Sequence, residues 1–346
     1  MATDTPNRME TRSGRTLLPG GRRRTLFLAG TLGAVAFAAH RRRSRRVVNV
    51  LTDPCGPDGL LMPEGDHEVL TTDDGARLAT LVVGPTNGPT VVLAHCWMGG
   101  KVLWGAVARR LVDSGCRVVL WDQRGHGDST LGDEPLSIAR LGDDLYQILN
   151  DLDLRDVVLT GHSMGGMTIQ AFAEKHADTF NERVRGVALV ATAAQPGWLR
   201  VPGPVARALL GDQRTPWLAK QAAKSNGAST DSHAHPDSVR AMNEAMLATT
   251  GAARAGFLTA IGQMDLRPGL ANIQVPTTII VGTSDWLTPP ARARALHAGI
   301  ANSELIVLDG YAHMLPYEAP DTIVSVVHSL LEHAATDPEH VTEAQE

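Results

Sequence analysis

The chain has 346 residues, 43% apolar and 20% charged, with three cysteines. That composition excludes a mainly disordered chain, a collagen, a coiled coil, a polytopic membrane protein and a disulfide scaffold. The net charge of −5 hides an asymmetry. Residues 1–46 hold 11 arginines against two acids, a net +9, whereas the rest of the chain holds 21 basic and 35 acidic side chains, a net −14. An acidic body is a poor nucleic-acid binder on charge grounds, so no nucleic-acid partner is expected.

The basic head contains a run without charge, residues 25–39 (TLFLAGTLGAVAFAA), flanked by Arg22–Arg24 and by Arg41–Arg43, Arg45 and Arg46. As a helix it would extend about 22 Å, short of a hydrocarbon core of about 30 Å. It fits the apolar region of a signal peptide. Arg23-Arg24-Thr25-Leu26-Phe27 resembles a twin-arginine export signal, with Ala36-Phe37-Ala38 as a cleavage site. Arginines on both flanks oppose clean export. Three readings stand: a short membrane anchor or uncleaved signal, a cleaved export signal, and a cytoplasmic chain with a basic tail. The first two place the protein in the cell envelope, the first with membrane association through residues 25–39. Residues 1–60 are read as a targeting or anchor segment outside the folded domain.

From residue 67 onward the pattern is that of a folded domain. Glu68–Thr72 and Arg77–Val83 flank Asp73-Asp74-Gly75, a hairpin signature. Short apolar runs then alternate with helical stretches. The strands are Pro89–Ala94, Cys116–Trp121, Asp156–Thr160, Val187–Ala191, Thr277–Val281 and Ser303–Leu308. The helices are Val102–Ser114, Leu136–Leu152, Met167–His176 and Asp321–His333. Continuous Val/Ile/Leu runs indicate strands buried on both faces, and alternation with helices indicates a mostly parallel sheet. The expected fold is therefore α/β: an eight-stranded, mostly parallel sheet with helices on both faces. Ligands in such sheets bind beyond the carboxyl ends of the strands.

Residues 196–262 interrupt this rhythm. They contain no convincing strand but several amphipathic helical pieces, such as Val205–Leu210, Trp217–Lys224, Pro236–Thr249 and Ala252–Met264, punctuated by Pro202, Pro204, Pro216 and Pro236. They are expected to form a helical lid inserted before the seventh strand of a domain spanning 61–333. Residues 334–346 read as a polar tail.

After the strand ending at Thr160 comes Gly161-His162-Ser163-Met164-Gly165-Gly166 and then a helix. This is G-x-S-x-G in a strand–turn–helix setting, a nucleophile elbow. Gly161 and Gly165 permit the sharp turn that lifts Ser163 off the backbone. The helix beginning near Met164 points its positive end at the site.

At these residues the chain resembles the α/β-hydrolase family, over about residues 65–333. Further segments share the resemblance: Leu93-Ala94-His95-Cys96-Trp97, Asp122-Gln123-Arg124-Gly125-His126-Gly127-Asp128-Ser129, Gly282-Thr283-Ser284-Asp285-Trp286-Leu287-Thr288-Pro289, and Gly310-Tyr311-Ala312-His313 with Glu318 and Pro320 downstream. They occur in family order, each just after a strand. The resemblance implies Ser163 as nucleophile, His313 as general base and Asp285 as the acid that orients it, in the chain order this fold uses. It also implies an oxyanion hole formed by the backbone N–H groups of Trp97 and Met164. One departure stands out: Cys96 occupies a position where the family usually has glycine. It reads as a small buried residue.

Asp309 and Asp265 are rival acids, and His95, His126 and His162 are other histidines at the sheet edge; the latter are expected to shape loops. The stretch Asp231-Ser232-His233-Ala234-His235-Pro236-Asp237 has zinc-like spacing but no further ligand group, so no metal is expected. No G-x-G-x-x-G follows a strand, so no nucleotide cofactor is expected. A serine at the nucleophile position, in place of aspartate, speaks against dehalogenase and epoxide hydrolase chemistry. The expected activity is hydrolysis of a carboxylic ester with a hydrophobic acyl or alcohol part. The alternatives are a thioesterase or lactonase, a cofactor-free perhydrolase on the same triad, or a non-catalytic ligand-binding protein on this fold.

Overall fold

In the computed structural model, eight strands pair in one sheet in the order β1-β2-β4-β3-β5-β6-β7-β8. They are β1 Asp66–Thr71, β2 Arg77–Val83, β3 Thr90–Ala94, β4 Arg117–Trp121, β5 Val157–His162, β6 Val184–Val190, β7 Thr277–Gly282 and β8 Ser303–Leu308. β1 and β2 form the expected hairpin, and β2 joins β4 antiparallel. Every other pairing is parallel. The structure describes residues 60–196, 200–222 and 236–335. The 25–39 run, the His233/His235 stretch and residues 336–346 of the polar tail lie outside them. No helix among the described residues is long and apolar enough to cross a membrane.

Burial follows the sequence pattern. β5 and β7 are buried along their whole length, whereas the edge strand β1 is mostly exposed. Helix α1 (Gly105–Asp113) is preceded by a 3-10 turn over Lys101–Trp104. Helix α2 (Ile138–Asp151) starts at Ser137, whose hydroxyl accepts the Arg140 N–H. It buries Ile138, Leu141, Leu145, Ile148 and Leu149 along one stripe. At roughly 1.5–3 kcal/mol for each fully buried aliphatic side chain, that stripe outweighs the cap and the intrinsic propensity in holding the helix. Helix α3 (Met164–Lys175) follows β5, and the short α4 (Ala177–Arg183) leads into β6.

Among the described residues between β6 and β7 lie four α-helices: α5 Gly203–Leu210, α6 Thr215–Ala222, α7 Pro236–Ala248 and α8 Gly251–Gln263. Their bounds lie within a few residues of those read from the sequence. Two further helices, α4 and α9 (Pro290–Gly299), had no clear periodic signal. In α9 only Ala293 and Leu296 are buried among ten residues, too thin a stripe for periodicity to register. A short helix α10 (Leu315–Glu318) precedes the last helix, α11 (Pro320–Ala335).

A buried ionic cluster fastens the hairpin turn to α2. Arg124, fully buried, meets Asp144 at 2.5 Å and Asp74 at 2.7 Å, and Arg140 joins Asp74 and Asp73. Burial pushes the Asp144 carboxyl up to about 6 against the pull of Arg124. The Arg124 fork beside Asp74 holds that carboxyl well below the usual carboxylate range. Arg124 is thereby committed to the scaffold.

Candidate active site

Ser163 occupies the turn between β5 and α3 with φ 53° and ψ −111°. A non-glycine residue in such a region costs about 1–3 kcal/mol and persists only where its surroundings over-determine it. Here they do. Its N–H donates to Val190 O at 2.9 Å, and its carbonyl accepts Met167 N–H at 3.1 Å and the Thr192 hydroxyl at 2.6 Å. The flanking glycines are needed for close approach. A Cβ on Gly161 would lie 2.5 Å from the Gly165 backbone, and one on Gly165 would lie 2.1 Å from Ala94 O. The elbow is thus pressed against the end of β3, where the His95–Trp97 turn begins.

His313 follows β8 and Asp285 follows β7. Their side chains meet, with His313 Nδ1 donating to Asp285 Oδ2 at 2.8 Å. The same carboxylate oxygen accepts the Thr288 hydroxyl at 2.7 Å, and Oδ1 accepts the N–H groups of Leu287 and Thr288, each at 2.8 Å. Burial works to raise the Asp285 pKa, but the imidazole and these donors outweigh it and hold the carboxyl below its ordinary value. With Nδ1 carrying the donated proton, Nε2 is the basic nitrogen of the ring. The His313 loop is clamped by Glu318, whose buried carboxylate accepts Ala312 N–H at 2.7 Å and Met314 N–H at 2.8 Å, one on each side of the histidine.

The rival acids point elsewhere. Asp309 accepts from Thr283 Oγ1 at the surface, and Asp265 forms an exposed two-point pair with Arg267. The other histidines are buried and bonded to backbone. His95 donates from Nδ1 to Cys96 O and accepts Gln123 N–H at Nε2. His126 donates from Nδ1 to Arg124 O and accepts Met98 N–H at Nε2. His162 donates from Nε2 to the His313 carbonyl at 2.8 Å, its ring 5.0 Å from the His313 ring. Burial pushes His126 and His162 down to about 3, so both are neutral at physiological pH.

Cys96 is buried, and desolvation pushes its thiol up to about 12. A thiol so placed is no nucleophile at neutral pH. Trp97 is half-buried. Its indole N–H donates to Arg254 O in α8 at 3.2 Å, and its ring packs on Ala206, Ala255 and Leu258 of the insertion. Met164, the other expected oxyanion donor, is the fully buried first residue of α3.

Sequence reasoning gave no role to Lys101, Thr192, Thr288 or Glu318. Lys101 is largely buried between Asp122 and Asp128 and fixes the turn after Trp97 to the loop after β4. Thr288 carried a usable signal, since a threonine three residues after an acid can bond back to it. Glu318 lies only four and six residues from the N–H groups it accepts, whereas Lys101 and Thr192 act across more than twenty residues, which no local pattern reports. Among the described residues no group of three or more His, Cys, Asp or Glu side chains is arranged to hold a metal.

A model of the alpha/beta hydrolase fold matches residues 89–320. The chain belongs to this family. It is 28% identical over 257 residues to a non-heme chloroperoxidase of Kitasatospora aureofaciens, covering 71% of this chain and 91% of that one. It is 26% identical over 266 residues to a 3-oxoadipate enol-lactonase of Acinetobacter baylyi, covering 75% and 95%. The structure is similar to that of an enol-lactonase from Burkholderia xenovorans, with a TM-score of 0.65 and 27% identity over 77% of this chain and all of that one. The elements described above are those of an α/β-hydrolase, and the protein is an enzyme of that kind.

Proposed function

We propose that the protein is a serine hydrolase that cleaves a carboxylic ester through an acyl-enzyme. The observation that carries this reading is the Asp285–His313 pair, 2.8 Å apart on the loops after β7 and β8, at the same sheet edge as the strained Ser163 turn. In the proposed mechanism Ser163 Oγ attacks the ester carbonyl carbon while its proton passes to His313 Nε2. Asp285 holds the ring's tautomer and stabilises the imidazolium. The carbonyl oxygen, now negative, accepts the N–H groups of Trp97 and Met164. Collapse expels the alcohol, which takes the proton from His313 and leaves the acyl group on Ser163. Water then repeats the sequence with His313 as base and releases the acid.

The packing of Trp97 on Ala206, Ala255 and Leu258 supports an apolar acyl or alcohol part, with α5–α8 acting as a lid. A cyclic ester is the second reading, favoured by the lactonase relatives. The chloroperoxidase relative keeps a cofactor-free perhydrolase in view. We also infer that residues 1–60 direct the enzyme to the cell envelope, with 61–333 as the catalytic domain.

A fluorophosphonate probe labels only an activated serine. The expected result is one label at Ser163 and p-nitrophenyl ester turnover that falls at least about 10⁴-fold in Ser163→Ala, with the thermal melt unchanged. Absence of labelling would assign the chain to the non-catalytic binding class. Retained turnover in Ser163→Ala would remove Ser163 from the mechanism.

A further inference from the structure

The two proposed oxyanion donors come from separate parts of the chain, Trp97 after β3 and Met164 at the start of α3. Their spacing depends on whatever joins those two segments. One contact is steric, the Gly165 Cα against the Ala94 carbonyl. The other is a polar bridge through Gln123, which lies in the loop after β4 and is fully buried.

All the hydrogen-bonding groups of Gln123 are used. Its backbone N–H donates to His95 Nε2 at 2.9 Å, and its carbonyl accepts His126 N–H at 3.0 Å. Its side-chain Nε2 donates to the His95 carbonyl, two residues before Trp97. Its Oε1 accepts the Thr168 hydroxyl at 2.6 Å. Thr168 sits one turn into α3, and its hydroxyl also lies 3.0 Å from the carbonyl of Met164. A buried chain therefore runs from the Trp97 turn through one neutral amide to Thr168, one turn along α3 from the residue that carries the second donor and in contact with its carbonyl. His95 extends it, because the proton on Nδ1 goes to Cys96 O, whose residue directly precedes Trp97.

We propose that Gln123 is a positioning residue that sets the distance between the two oxyanion donors. This rests on the hydrolase reading above. The physical basis is preorganisation: donors aimed at developing charge stabilise it only if they need not move when it appears. A buried amide suits that role, since losing one of its bonds strands a polar partner in a low-dielectric interior. It also adds no net charge beside the oxyanion.

The test compares Gln123→Met, which keeps the length and removes both side-chain bonds, with Thr168→Val and the double variant. Active sites are first titrated with a fluorophosphonate, so that misfolded protein is not counted. The expected result is a titratable fraction like wild type, kcat per titrated site about 10–100-fold lower in Gln123→Met, and KM little changed. Affinity for an aryl boronic acid, which forms a tetrahedral anion on the serine, should weaken by a similar factor. Thr168→Val should show a smaller loss, and the double variant should lose no more than Gln123→Met alone. An unchanged kcat per titrated site in both single variants, or additive losses in the double, would overturn the assignment. If Gln123→Met yields no titratable protein, Thr168→Val carries the same comparison by itself. A wild-type chain that neither reacts with the fluorophosphonate nor turns over esters overturns the hydrolase reading, and this assignment with it.

Discussion

At the carboxyl edge of the sheet, polar side chains answer the backbone of neighbouring loops one by one: Glu318 around His313, Asp285 on its own loop, Thr192 on Ser163. Among the described residues of the insertion, one guanidinium reaches three neighbouring elements. Arg254, in α8 and almost fully buried, donates to Leu210 O at the end of α5, to Met246 O and Thr249 O at the end of α7, and to Thr215 Oγ1 at the start of α6. These are helix-terminal groups that would otherwise lack partners. The difference teaches where redundancy lies. The sheet edge is held by bonds spread over many side chains, whereas among the described residues of the insertion several converge on one side chain, beside the Asp212 carboxylate that accepts Gly251 N–H.

The largest effect that sharpens this contrast is expected at the edge. Asp285→Asn should lower kcat about 10³–10⁴-fold, because an amide presents the wrong partner to His313 Nδ1 while the fold stays intact. Steady-state kinetics beside a thermal melt check it, and a loss explained by unfolding would break the contrast. Next, Arg254→Met should loosen the insertion selectively. Stranded carbonyls cost about 1–3 kcal/mol each. Amide exchange should rise across α5–α8 while β3, β5 and β7 stay protected, and KM should rise more than kcat falls. Uniform loss of protection would show that the two regions are not separately held.

A third expectation concerns acid. His126 and His162 are held near 3 by burial, against about 6.5 in an unfolded chain. Above that value both states bind no proton, so stability is at its full level. As pH falls from about 6.5 toward 3, the unfolded state gains protons that the native rings refuse. Each histidine then removes up to about 1.4 kcal/mol per pH unit. Denaturant midpoints measured between pH 7 and 4 should fall in this sense, and a flat profile would contradict the neutral assignment. The smallest effect is at Cys96. Its buried thiol should resist iodoacetamide at pH 8 until the chain is unfolded, and Cys96→Ser should turn over esters at close to the wild-type rate. Rapid labelling at Cys96 itself in the native protein, located by peptide mapping, would contradict its burial.

Much of this was legible in the sequence, for identifiable reasons. The sheet was readable because β5 and β7 are buried on both faces and carry unbroken apolar runs. The elbow and the Asp285 and His313 loops were readable because sharp turns restrict residue types within a few positions. The helices of the insertion were visible as amphipathic pieces set off by prolines. Arg254 was not, because a buried arginine and an exposed one look alike in sequence. Gln123 and Thr168 are 45 residues apart and joined only by the fold. Helix α9 lacked a stripe wide enough to register.

The close approach of Gly165 to β3 has a bearing on how such a protein can change. With 2.1 Å between a Cβ at that position and the Ala94 carbonyl, no other residue fits without displacing the turn that presents Ser163. The reacting end of the molecule cannot drift by small steps. On the proposed function, new substrate preferences would arise through α5–α8, where side chains such as Val205 and Leu209 stand exposed. If α5–α8 form the proposed lid, divergence of function would proceed by rewriting that roof over a fixed floor.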